Sequence, residues 1–154
     1  VKKKRLLIVY HSKTGKNGLM AEAVREGATH PDIDIDVSFK KAMEAGIEDL
    51  LDADGIIFGT PENFGYMSGA LKDFFDRTFY EVEGQVDGTP YCMMVGAGND
   101  GTGALTAIRR ICNGYNFKEV QEAIVVVGDL EDRQVQACRD LGMAMAAGLE
   151  AGIF

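Results

Sequence analysis

Ser12, Thr14 and Asn17 bring two hydroxyls and a carboxamide close together around Gly15. They follow an apolar run, Leu6 to Tyr10, and precede a stretch in which Met20, Ala23, Val24 and Gly27 keep helical spacing. So short an apolar run predicts a buried strand, and the sequence reads strand, tight polar loop, helix. A helix N-terminus carries unpaired backbone N–H groups and partial positive charge, so a loop of this kind can hold a phosphate. Ser12 and Thr14 add hydroxyl donors, Gly15 lets the backbone approach closely, and Asn17 can donate from its amide. The same residue types also serve simply to turn the chain and start a helix. Taken alone, the stretch supports both readings.

Two further connections bear on the choice. Thr60-Pro61-Glu62-Asn63-Phe64-Gly65-Tyr66-Met67 follows a second apolar strand, Ile56 to Gly59, and places two aromatic residues in a loop. Gly96-Ala97-Gly98-Asn99-Asp100-Gly101-Thr102-Gly103 follows a third, Tyr91 to Val95. In open parallel sheets the strand ends that lead into helices share one edge, and ligands bind there. Flat rings beside a phosphate cradle suit a planar cofactor with a phosphate tail. The glycines from Gly96 to Gly101 also match a dinucleotide-binding pattern, but Asp129, the acidic candidate partner, lies 28 residues beyond Gly101, where about 20 are expected overall. The nucleoside-triphosphatase pattern fails at Tyr10, which stands where its leading glycine is required.

The elements that position these loops alternate. A strand is expected over Ile33 to Val37, where apolar and acidic residues alternate, and a short helix around Ile47 to Leu51. Ser68 is placed to cap a helix whose buried stripe is Leu71, Phe74, Phe75 and Phe79. Helices also follow from about Ala104 to Cys112 and from about Glu131 to Gly148, with a strand between them over Ala123 to Val127. This is an α/β open sandwich, expected as a single domain over residues 1–154.

Bulk properties exclude some functions. The chain has 154 residues, 46% of them hydrophobic and 26% charged, enough for a full core. A formal net charge of −8 disfavours nucleic acid as a partner. Lys2 to Arg5 precede an apolar run too short for an export signal, and no stretch is long enough for a membrane span, so cytoplasmic residence is the expectation. Cys92, Cys112 and Cys138 are far apart and read as reduced core residues. His11 and His30 have no metal-ligand spacing.

Ser12-Lys13-Thr14-Gly15-Lys16-Asn17 resembles the FMN-phosphate loop of the flavodoxin-like family. Gly59 to Gly69 resembles that superfamily's second flavin loop, in the form found in NAD(P)H:quinone oxidoreductases related to the tryptophan-repressor-binding protein and in allied FMN reductases. The resemblance implies a five-stranded parallel sheet in order 2-1-3-4-5, helices on both faces, and FMN at the switch point. It implies Ser12, Lys13, Thr14, Gly15, Lys16 (through its backbone) and Asn17 around the phosphate. Pro61, Glu62, Asn63, Phe64, Gly65 and Tyr66 would border the isoalloxazine. Backbone donors over Gly96, Ala97, Gly98, Asn99, Gly101 and Gly103 would close the other side.

Three departures stand out: Asn17 replaces a threonine or serine, Asn63 replaces an arginine common in the quinone reductases, and the third loop has no aromatic residue. Many carrier flavodoxins enclose the flavin between two rings, so this last departure favours a reductase. The implied partners are a reduced nicotinamide, NAD(P)H, and a quinone, flavin or similar planar acceptor. The resemblance also brings in a homo-oligomer, since relatives build acceptor pockets across subunit contacts. The alternative is an electron carrier whose acidic surface docks a redox partner protein.

Overall fold

Leu6 and Ile8 face one side of the first strand and Leu7 and Val9 the other, and all four are fully buried. A strand apolar on both faces needs helices above and below it. The computed structural model describes residues 2–154 and shows that arrangement. In chain order it contains β1 (Arg5–Tyr10), α1 (Lys16–Ala28), β2 (Asp36–Lys41), α2 (Ile47–Asp52), β3 (Gly55–Pro61) and α3 (Gly69–Val82). β4 (Pro90–Ala97), α4 (Thr102–Gly114), β5 (Lys118–Glu119), β6 (Ile124–Val127) and α5 (Asp132–Ala151) complete it.

The sheet is parallel throughout and runs β2-β1-β3-β4-β5, with β6 also paired to β4. This is the flavodoxin-like order expected, with one refinement. Its fifth place is shared by two short strands along the same side of β4. β5 pairs with Pro90 and Tyr91, and β6 pairs with Met94 to Ala97.

The second strand also lies later than the sequence pattern suggests. Its first pair in the sheet is Arg5 with Asp36, so the alternating stretch from Ile33 to Ile35 precedes it. Ile33 and Ile35 instead pack into the core beside α1 and α5. The Asp34 N–H donates to the Glu150 carboxylate at 2.6 Å, and Lys3 pairs with the Asp34 side chain. The alternation there serves docking against a helix.

Each face of the sheet has its own core. One joins Leu7, Val9, Phe58 and Met93 to Phe74 and Phe75 of α3 and Ile108 of α4. The other joins Leu6, Ile8, Ile57 and Met94 to Met20 and Val24 of α1 and Leu141 and Met145 of α5. α1 and α5 touch backbone to backbone: a Cβ at Gly27 would lie 1.8 Å from the Arg139 carbonyl oxygen, and one at Gly142 would lie 1.9 Å from that of Val24. All three cysteines are buried and free. Burial raises the Cys138 thiol to about 11, which keeps it protonated and unreactive. Among the described residues, no helix is long and apolar enough to cross a membrane.

The chain leaves β1 to form β2 on one side, then returns across β1 to form β3 on the other. That reversal opens a crevice at the C-terminal edge, where β1, β3, β4 and β6 all end.

Candidate functional site

The loop after β1 is held at its base by the His11 N–H, which donates to the Gly59 carbonyl at 3.0 Å. At its tip the Gly15 N–H donates to the Ser12 hydroxyl at 3.2 Å. Gly15 is the N-cap of α1 and has φ of 100°, a conformation that only glycine adopts at little cost. The first helical bond runs from Leu19 N–H to the Gly15 carbonyl. The N–H groups of Lys16, Asn17 and Gly18 therefore start the helix without partners in it. No side chain caps this end, and its first turn contains no acid. The partial positive charge at this end of α1 is therefore not neutralised by a capping side chain or an acid of its first turn.

The Lys16 ammonium lies elsewhere. Nζ donates to the carbonyls of Val126, at 2.8 Å, Ala97 and Gly128, tying α1 to the ends of β4 and β6. Burial lowers its pKa from the ordinary lysine value, with Asp129 acting the other way. Lys16 thus offers the crevice its backbone N–H. Asn17 is buried, and its Oδ1 accepts from the Gly96 N–H at 3.2 Å, which ties the first loop to the third.

The loop after β3 is a tight hairpin. Asn63 and Tyr66 exchange backbone hydrogen bonds of 2.8 and 3.0 Å. Between them Phe64 has φ of 51° and Gly65 has φ of 72°. Two positive φ angles in succession mark a type I′ turn, whose first central position ordinarily holds Asn, Asp or Gly. Phe64 occupies it instead, at a cost of roughly 1–2 kcal/mol. Its ring receives no packing in return, being 108% exposed.

Glu62 turns away from the hairpin. Its Oε2 accepts from the N–H groups of Gly103, at 3.1 Å, and Ala104, at 3.4 Å. These belong to the first turn of α4, so Glu62 caps that helix from another loop. The loops meet closely here, and a Cβ at Gly103 would lie 1.9 Å from the Gly65 carbonyl oxygen. Asp100 accepts from the Thr102 N–H at 3.0 Å, which lowers its pKa. Gly101 is buried against Val125, leaving Gly98 and Asn99 at the exposed tip.

The three loops converge on a cavity of about 290 Å³. Lys13, Thr14, Lys16 and Asn17 line it from the first loop, Pro61 and Asn63 from the second, and Gly96, Ala97 and Gly98 from the third. Ser12 and Gly15 instead line a neighbouring cavity with His11 and Lys41, on the β2 side of the same loop. Tyr66 and Gly103 border a third, towards α4. Gly128 completes the lining of the cavity where the three loops converge, and the sequence pattern did not mark it. The rule that places ligands at strand ends, applied to the end of β6, would have found it. Among the described residues, no cluster of His, Cys, Asp and Glu could hold a metal ion.

Residues 24–132 match the family model described as NADPH-dependent FMN reductase. A protein named flavodoxin from Aquifex aeolicus is 31% identical, over 92% of this chain and 85% of its own. A protein named NAD(P)H dehydrogenase (quinone) from Acidithiobacillus ferrooxidans is 40% identical over 93 residues, 48% of this chain and 46% of that one. Among solved structures, an archaeal flavodoxin superimposes with a TM-score of 0.80 at 21% identity, covering 94% of this chain and 98% of its own. That last likeness concerns the fold.

Proposed function

The chain belongs to the flavodoxin-like, FMN-binding family, and from that premise we propose that it is an oxidoreductase passing electrons from a reduced nicotinamide to a quinone, flavin or similar planar acceptor. The residues around the crevice fit FMN. The open N-terminus of α1, with no acid in its first turn, matches a phosphate dianion in charge and in donor type. Ser12, Thr14, Gly15 and the backbone of Lys16 would hold the phosphate, with Asn17 donating from its amide nitrogen. Pro61, Asn63 and Phe64 would border the ring on one side and Gly96 to Asn99 on the other.

FMN supplies the redox chemistry when bound, as two-electron or hydride transfer. The protein's work is to bind, orient and cover it. Glu62 contributes by fastening the second loop to the third. No side chain at the crevice is assigned as acid or base.

The observation that carries the enzyme reading is the exposed Phe64 ring, on a strained turn next to Asn63, which lines the cavity. The third loop has no ring to set against it; its side chains are those of Ala97, Asn99, Asp100 and Thr102. Aromatic cover from the second loop alone leaves room for a planar acceptor to stack. The carrier reading has its own support in the 31% identity to a protein named flavodoxin across most of the chain.

The protein loaded with FMN would be mixed with NADPH or NADH and a quinone, and absorbance followed at the nicotinamide band. Catalytic nicotinamide oxidation is the expected result. Stoichiometric binding of FMN with no nicotinamide oxidation would leave the carrier.

A further inference from the structure

A groove runs between α3 and α4, away from the switch point. It consists of a cavity of about 550 Å³ bordered by Tyr66, Gly103 and Thr106, and one of about 340 Å³ walled by Phe79 and Tyr80. Arg110 and Ile111 line both. The groove therefore begins where the second and third loops meet and continues along an aromatic wall.

Its charges are few. Lys72 and Asp76 line the 340 Å³ cavity and pair with each other at 2.7 Å, so they largely cancel. Arg110 is the remaining charged group. Of the chain's seven arginines, Arg5, Arg25, Arg77, Arg109, Arg133 and Arg139 each pair with a carboxylate. Arg110 is in none of the ion pairs among the described residues, although the chain carries 24 acidic residues against 16 basic ones. Its immediate neighbour Arg109 is held by Glu119 through two hydrogen bonds, of 2.8 and 3.0 Å. A planar guanidinium in a groove with an aromatic wall suits a ligand with a flat apolar body and an anionic end.

We propose that the α3–α4 groove binds an aromatic anion, a planar ring bearing a sulfonate or carboxylate, with its charge on Arg110 and its ring against Tyr66 and the α3 wall. That the groove binds this ligand does not rest on the function proposed above.

The test is an NMR titration of the purified protein with naphthalene-2-sulfonate and, separately, with naphthalene-2-sulfonamide, which has the same ring but no charge at neutral pH. The sulfonate is expected to bind about tenfold more tightly, as for a charge-assisted hydrogen bond, with shifts at Tyr66, Gly103 and Arg110. Arg110→Gln should abolish the preference, and Lys118→Gln, outside the groove, should leave it. Equal affinities in the wild type, or a preference that survives Arg110→Gln, would overturn the proposal. So would shifts at α3 and α4 that depend on protein concentration alone, which would assign the groove to a second copy of the chain.

Discussion

α1 and α4 begin at the same edge of one sheet, each after a polar loop that ends in glycine, and differ in how the helix end is met. Both have a glycine N-cap in the left-handed region, Gly15 and Gly101, with no cap from that residue and no acid in the first turn. The N-terminus of α4 is nevertheless neutralised. Glu62 arrives from 41 residues away to accept two of its N–H groups, and Asp100 accepts a third. The N-terminus of α1 receives no such carboxylate, and the one cation in its first turn, Lys16, has its ammonium turned to three carbonyls. A helix end becomes an anion site only where the protein leaves it open. Both helices have a glycine N-cap, and the placement of Glu62 separates the closed end of α4 from the open end of α1.

The comparison breaks most severely if the open end is closed. Asn17→Asp keeps an oxygen acceptor for the Gly96 N–H but brings a carboxylate to the first turn of α1. At about 5 Å from a phosphate and an effective dielectric near 20, the repulsion is roughly 3 kcal/mol. FMN affinity, measured by fluorescence quenching, should fall by about 100-fold, and riboflavin affinity by far less. Comparable losses for both flavins would mean that the tail does not lie there.

Next in size is the loss of hydroxyl donors. Ser12→Ala with Thr14→Ala should weaken FMN by about 10- to 30-fold, at 0.5–1.5 kcal/mol for each hydrogen bond, and leave riboflavin unchanged. At the other helix, Glu62→Ala should lower stability in urea by about 1–2 kcal/mol through loss of the cap, and Glu62→Gln should recover part of it. An unaffected Glu62→Ala protein would show that the cap contributes nothing and that the two helix ends are equivalent.

Phe64→Gly is the smallest change and the one with opposite signs. Relief of the left-handed conformation should stabilise the flavin-free protein by about 1 kcal/mol, while loss of the ring weakens FMN. A mutant less stable without flavin would restore the ring to a packing role.

The strands were legible because buried parallel strands are written as unbroken apolar runs, Leu6 to Tyr10 and Ile56 to Gly59 among them, and their order came from the family resemblance of the loops. The first loop was legible for the same reason, since a strand and a helix bracket it closely. The start of β2 was not. Alternation at Ile33 and Ile35 records two apolar side chains on one face, and a helix can cover that face as well as a sheet can. The break of the fifth strand into β5 and β6 was equally hidden, because two residues are too few to form a pattern. Glu62 was read as a neighbour of the ring, but that its carboxylate caps α4 was not legible, because the contact exists only once three loops have met. Phe64 carried a visible oddity, an aromatic residue where a turn wants Asn or Gly, but its significance required the φ angle.

The central claim is that α1 holds the phosphate of a flavin nucleotide. Titration of the flavin-free wild-type protein with FMN and then with riboflavin tests it most directly. FMN should bind at least about 100-fold more tightly, because only FMN carries the group that the open helix end and its hydroxyls are placed to receive. Equal affinities would contradict the account.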